Sequence, residues 1–288
     1  MAEAYDTPPA LQRLNSRRVP VLQPGAAGLL KSLSDEDMDF RELARIIERF
    51  SSIAARLIAL ANSAWSAPAS PISSVEGACS RLGFGVVRST GISLAVAAPF
   101  NSSRCPGFDP EEFWTHALLG ADAASWLCPV SSLQHGLDAS TARTAGLLHN
   151  LGLLWLADEL PAEVDRAISL AGQSPSQSVG HALSELIGID IAQAGEHLGK
   201  TWNLPDQLVT AMGHCTEPQY RGHHWETATL VGVAKALISA MREEAPCPVA
   251  DGRLKSLGIS TSAAEKVFLQ LDRQYERTRK LAKTLFNQ

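Results

Sequence analysis

The run AGLLHNLGLLWL, residues 145–156, sets a His149-Asn150 pair inside an otherwise apolar stretch. Near neutral pH imidazole is the side chain best suited to hold a metal ion or to pass a proton. A second imidazole, His116 in FWTHALLGA, lies about thirty residues upstream on what reads as a separate helix. The two rings can converge in a helical core, and the chemistry turns on whether they still hold a metal there. His149 is flanked at helical spacing by Ala145, Gly146, Gly152 and Leu153, small or apolar groups that admit a second helix and leave the ring partly desolvated. Such a ring needs a polar partner.

Other chemistry-bearing residues make weaker cases. His197 and His181 sit singly on apolar helical stretches and read as hydrogen-bonded core residues. In the pair His214-Cys215 the thiol could take a soft metal, and His223-His224 falls in the polar loop RGHHWE. Gly83-Phe84-Gly85 invites a dinucleotide reading, but Arg88 stands where a third glycine belongs and no strand precedes it. Arg13 and Arg17 have an RxxxR spacing without the companion segment that would give it meaning. No GxSxG elbow, P-loop or HExxH is present.

The elements that must position the two histidines are helical. Asp39 with Glu42 has the form of a capping box ahead of Phe40, Leu43, Ile46, Ile47 and Phe50, which predicts a helix over about 39–49. Ser52 is expected to cap a second helix through Ile53, Leu57 and Leu60, and Ser73 with Glu76 a third through Ala78 and Leu82. After a Ser/Cys/Pro/Gly loop, NSSRCPGFDP, the helix of His116 starts with Asp109 at N-cap, Pro110 at N1 and Glu112 at N3. One apolar helix is expected over 140–157, through His149. Ser176, Asp190, Pro161 and Pro205 mark further starts. The last helix, about Ser262 to Phe286, puts Val267, Leu271, Tyr275, Thr278, Leu281 and Leu285 on one stripe, expected to pack on the chain's own core before serving as a dimer or partner seam.

Composition narrows the function classes. A chain of 288 residues with 45% hydrophobic and 19% charged residues can bury a sizeable core. Its longest apolar stretch, GISLAVAAPF, is too short to span a bilayer, so no membrane segment is expected. The segment MAEAYDTPPALQRL lacks a basic region followed by an apolar one, which predicts no secretory signal and a cytoplasmic protein. Five scattered cysteines without a CxxC fit reduced thiols, mostly small buried hydrophobes. A formal net charge of −5 disfavours broad nucleic-acid binding.

Six pieces in order over about residues 18–218 resemble the HDOD family, the HD-related output domains of bacterial signalling proteins. They are Val19-Pro20-Val21-Leu22, RELARIIERFSSIAARLIALANSAW, Ile72-Ser73-Ser74-Val75 through Arg81-Leu82-Gly83, Phe113-Trp114-x-His116, AGLLHNLGLLWL and Trp202-Asn203-Leu204-Pro205. The resemblance implies an all-α fold: an N-terminal helical bundle (1–105) packed on a degenerate HD-like helical core (106–220), with a C-terminal helical extension (221–288) completing the core. In active HD enzymes a histidine, a His-Asp doublet and a distant aspartate hold one or two divalent metals. Neutral imidazoles and anionic carboxylates are needed there because they must stabilise a cation that polarises phosphate. Matched to that pattern, His116 and His149 keep the histidines, Asn150 replaces the doublet's carboxylate, and Lys235 in VGVAKALISA falls where the last aspartate is expected. The local formal charge then moves from about −2 to about +1, and at ~4 Å with an effective dielectric of ~20 each unit is about 4 kcal/mol. Lys235 is expected to bond Asn150 or a histidine and seal the pocket, or else to attract a phosphate-bearing ligand.

The expected function is therefore a non-catalytic signalling module with no cofactor. It would act through contact with a protein partner such as a sensor kinase, a receiver or a cyclic-dinucleotide enzyme, for example as a response-regulator-associated output, with a homodimer through the C-terminal helix as a further option. One alternative is a divergent metal-dependent phosphohydrolase acting on a nucleotide or cyclic dinucleotide through His116, His149 and a replacement ligand such as His214. Another is a nucleotide-binding sensor without turnover.

Overall fold

Helix caps written into the sequence set most of the element starts. The computed structural model describes residues 19–22, 25–33, 39–133, 137–173 and 177–286; Arg13, Arg17 and Ser176 lie outside these residues. Among the described residues the chain is all-α, with no strand. An N-terminal bundle is formed by α1 (Ala26–Leu33), α2 (Phe40–Glu48), α3 (Ser51–Ala61), α4 (Val75–Leu82) and α5 (Phe84–Ala97). Then come α6 (Pro110–Leu127), α7 (Ala139–Leu148), α8 (Leu151–Glu159), α9 (Pro161–Gln173), α10 (Val179–Ile187), α11 (Ile191–Thr201) and α12 (Asp206–His214). The chain closes with α13 (Trp225–Arg242), the short α14 (Gly252–Ser256) and α15 (Thr261–Phe286).

Asp39 accepts from the Glu42 amide at 2.8 Å, and Asp109 from the Glu112 amide at 3.1 Å with Pro110 opening α6. Asp190 and Gln193 form both halves of a capping box, at 2.8 and 3.0 Å. Two caps differ from expectation. The connection from α2 to α3 is only Arg49-Phe50, too short to leave Ser52 outside, so α3 begins at Ser51 without a side-chain cap. Ser74, not Ser73, caps α4 by accepting from the Gly77 amide at 3.0 Å. On α10 the cap is Ser178, which accepts from the His181 amide at 3.1 Å.

The expected continuous helix over 140–157 is two helices, broken at His149-Asn150. The break follows from two close crossings. A Cβ on Gly120 would lie 2.7 Å from the Gly146 carbonyl, so α6 and α7 meet backbone to backbone. Further on, a Cβ on Gly152 would meet the Ile191 carbonyl and, at 2.5 Å, the Gly195 amide, so α8 is tied instead to α11. Each half follows its own partner, and Asn150, at φ −104° and ψ 9°, takes up the change of direction.

Helix α13 runs through the middle of the core against α6, α7 and α12. Helix α15 lies along α6 and buries Val267, Leu271, Thr278, Leu281 and Leu285, with Tyr275 half-buried at the margin of the stripe. Its end stacks Phe286 on Trp114 at 4.3 Å between ring centroids. It also ties back to the N-terminal bundle, where Trp65 Nε1 donates to the Arg277 carbonyl at 3.0 Å and Arg56 to the Leu285 carbonyl at 2.9 Å. Among the described residues no helix is long and apolar enough to cross a membrane. All five cysteines are free thiols, with Cys79, Cys105 and Cys215 buried.

Candidate functional site

A cavity of about 540 Å³ opens where α6, the α7–α8 break, the starts of α10 and α11, and α13 meet. His116, His149, Asn150 and Lys235, from three separate stretches of chain, all line it. The Gly120–Gly146 crossing sets the two rings: His116 is one turn before Gly120, and His149 is three residues after Gly146. His149 is 3% exposed, and its Nδ1 lies 2.7 Å from the Gly146 carbonyl. A carbonyl can only accept, so Nδ1 carries the proton and Nε2 keeps its lone pair. His116 Nε2 is buried with no partner among the described residues.

Both rings are held neutral. Burial, reinforced by the Lys235 charge, pushes His149 down to about 3 from the usual 6.5, and the Gly146 carbonyl only partly offsets it. Burial, then the charges of Arg242 and Lys235, lowers His116 to about 4. Lys235 Nζ donates to Asn150 Oδ1 at 3.5 Å, the long end of hydrogen-bonding range. The contact forms, but the cavity beside it is not filled.

The donor set does not suit a divalent cation. Two imidazole lone pairs remain, yet the neighbouring oxygen is a neutral amide facing an ammonium. The cavity carboxylates Asp109 and Asp190 cap helices, and Glu112 is paired with Arg242. Among the described residues no group of three or more His, Cys, Asp or Glu side chains converges on one point.

His214 does not join the cavity. It ends α12, stacks on Tyr220 at 4.0 Å with the rings 7° apart, and lies 3.1 Å from Glu217. One residue further on, about 100° round the helix axis, Cys215 takes the cavity-facing place, and burial raises its thiol pKa. Two further histidines depart from a core role. His181 is exposed at the cavity rim, 3.4 Å from Glu185, because it lies in the first turn of a surface helix. His197 is half-buried and stacked on Trp155 at 5.5 Å. His223 and His224 touch each other at 3.9 Å, with His224 in the left-handed region at φ 54°. Gly83 alone joins α4 to α5, whose first residues are Phe84 and Gly85, and Arg88 is buried against the Phe84 ring and Ser140.

Sequence reasoning missed Arg242 and Glu112. The signal was present: Arg242 is two turns beyond Lys235 on α13, and Glu112 is one turn before His116 on α6, so each shares its neighbour's face.

A family model described as the HDOD domain matches residues 19–218. Among solved structures, a protein of Marinobacter aquaeolei VT8 named for signal transduction superposes with TM-score 0.80 at 25% identity. That match covers 92% of this chain and only 59% of the Marinobacter chain. An HDOD domain protein of unknown function from Geobacter sulfurreducens gives TM-score 0.74 at 21% identity, over 96% of this chain and 97% of its own. A protein of Shewanella amazonensis SB2B named as a phosphohydrolase gives 0.69 at 23% identity, again over 96% and 97%. The last two likenesses speak for the shared helical fold. No curated protein matches the chain.

Proposed function

The chain belongs to the HDOD family, and on that premise we propose that it is a signal-transduction module that acts by contact with another protein and not by turnover. The observation that carries this reading is the Asn150–Lys235 contact. Where the HD pattern needs anionic oxygen for its metal, a neutral amide faces a cation. Removing both anions while keeping the helical scaffold leaves a shape to present and a pocket to bias it. The Marinobacter neighbour's naming for signal transduction supports the class. The partner fits a sensor kinase, a receiver or a cyclic-dinucleotide enzyme of a two-component pathway in the cytoplasm. The exposed face of α15, with Leu269 54% exposed, is available for a second copy.

Metal analysis of the chain purified without chelator tests the reading, alongside hydrolysis assays on nucleotides and cyclic dinucleotides. The expected outcome is no stoichiometric transition metal, no product, and a partner retained in pull-downs from the native host. Stoichiometric metal with hydrolysis abolished by His149→Ala would overturn it.

One observation favours the second reading, a divergent phosphohydrolase. His149 keeps the tautomer a metal would need, with Nδ1–H donated to the Gly146 carbonyl and Nε2 left as a lone pair. His214, the replacement ligand that reading called for, is turned away on Tyr220.

A further inference from the structure

Lys235 brings a charge to a half-buried position where no described carboxylate answers it. The acids around the cavity are already committed: Asp109 to the Glu112 amide, Asp190 to the Gln193 amide, Glu112 to Arg242. Among the described residues its one hydrogen bond is the 3.5 Å contact with Asn150. An ammonium placed this way gains from any anion that enters.

Beside it stand two imidazole nitrogens without partners, of which His149 Nε2 is the acceptor, since Nδ1–H is donated to the Gly146 carbonyl. His149 is 3% exposed, and its Nε2 has no partner among the described residues; His116 Nε2 is buried and unpartnered. Asn150 holds the N-cap place of α8 without a side-chain capping bond, its carbonyl accepts from the Leu153 amide at 2.9 Å, and both residues line the cavity. The complementary group is anionic on one oxygen and carries a hydroxyl on another. A monoprotonated phosphate monoester has both: an oxyanion for the ammonium and a P–OH to donate to an imidazole lone pair. A carboxylate supplies only the first, and a divalent cation meets the ammonium's repulsion.

The rest of the cavity is a container for an apolar body. Phe108, Phe113, Ile168 and Ile238 line it, and about 540 Å³ lies within the range of small-molecule sites.

We propose that this cavity binds a phosphate monoester with an apolar or aromatic body, gripping the phosphate at Lys235 beside His116, His149 and Asn150, and leaves the ester intact. The proposal deepens the signalling reading and rests on it for the claim that the ester survives.

Isothermal titration calorimetry on the full chain, with phenyl phosphate, adenosine 5′-monophosphate, benzoate and inorganic phosphate as probes, tests it. At least one of the two esters binds, benzoate and inorganic phosphate bind at least ~10-fold more weakly, and Lys235→Met lowers ester affinity at least ~10-fold. Circular dichroism checks that the variant folds. If it does not, Asn150→Asp, which gives Lys235 a carboxylate of its own, is expected to cause the same loss. No binding of either ester, equal binding of benzoate, or unchanged affinity in the folded variants overturns the ligand and leaves the signalling reading standing. Inorganic phosphate released from a bound ester overturns instead the claim that the ester survives, and the non-catalytic reading with it.

Discussion

Lys235 Nζ reaches Asn150 Oδ1 at 3.5 Å, across the gap between α13 and the break that separates α7 from α8. Two residues 85 positions apart thus meet beside two neutral imidazoles. Their pairing sets a cation against a neutral amide at the edge of the cavity.

The proposed effect of charge on metal binding is testable by changing it. The double variant Asn150→Asp with Lys235→Asp places two anions in the site and is expected to acquire a divalent transition metal. At an effective dielectric of ~20 each added unit is about 4 kcal/mol at ~4 Å, enough to move affinity by orders of magnitude. Elemental analysis after dialysis against micromolar Zn²⁺ or Mn²⁺ reads the result. Equal metal content in double variant and parent would mean that charge is not what keeps metal out.

Acid should destabilise the fold through the two histidines. Both rings have folded pKa values below the ordinary 6.5, about 3 for His149 and about 4 for His116, because burial disfavours their charged forms. The unfolded chain therefore takes up protons first, and stability present above pH ~6.5 falls as pH drops toward the folded values. Each unit of that window is about 1.4 kcal/mol per ring before relaxation discounts it. Urea unfolding of the parent and of His149→Gln at pH 7.5, 6 and 5 checks the slope. The parent should lose about 1–2 kcal/mol more than the variant between pH 7.5 and 5, and parallel slopes would count against buried neutral His149.

The α6–α7 crossing is predicted to be intolerant of a single methyl group. Gly120→Ala places a Cβ 2.7 Å from the Gly146 carbonyl, a backbone atom that cannot swing away. Overpacking of this kind costs about 1–3 kcal/mol. Gly172→Ala, near the end of α9 with nothing within 4 Å of the new carbon, should be neutral or stabilising by up to about 1 kcal/mol. Thermal denaturation of the two variants should move in opposite directions, or only the first should move.

Trp202, at the end of α11, fastens residues 19–22, its Nε1 donating to the Pro20 carbonyl at 2.8 Å and its ring 5.8 Å from Phe100. Trp202→Phe keeps an aromatic ring and loses the bond, at an expected cost of about 0.5–1.5 kcal/mol. Hydrogen exchange should quicken in residues 19–22 more than in α11. A uniform change across the chain would point to general destabilisation instead.

Much of the fold was legible because its signals are local. Asp109-Pro110-Glu112 and Asp190 with Gln193 cap their helices within four residues of chain, and the stripe Val267, Leu271, Thr278, Leu281 is a simple helical period. The candidate site was legible only as residue types. His116, His149, Asn150 and Lys235 were each identifiable, while the roles of Arg242, Glu112 and Cys215 depended on which helix face turned inward.

The sequence by itself determined an all-α chain, the starts of its clearest helices, and the residue types His116, His149, Asn150 and Lys235 of the candidate site, since capping, periodicity and residue chemistry are carried by short stretches. Tertiary structure alone decided that the helix through His149 breaks, that His214 turns to Tyr220, and that the pocket stays open beside Lys235. Those outcomes depend on close crossings such as Gly120 on Gly146 and Gly152 on Gly195, where backbones distant in sequence come within van der Waals contact. No local pattern encodes that distance.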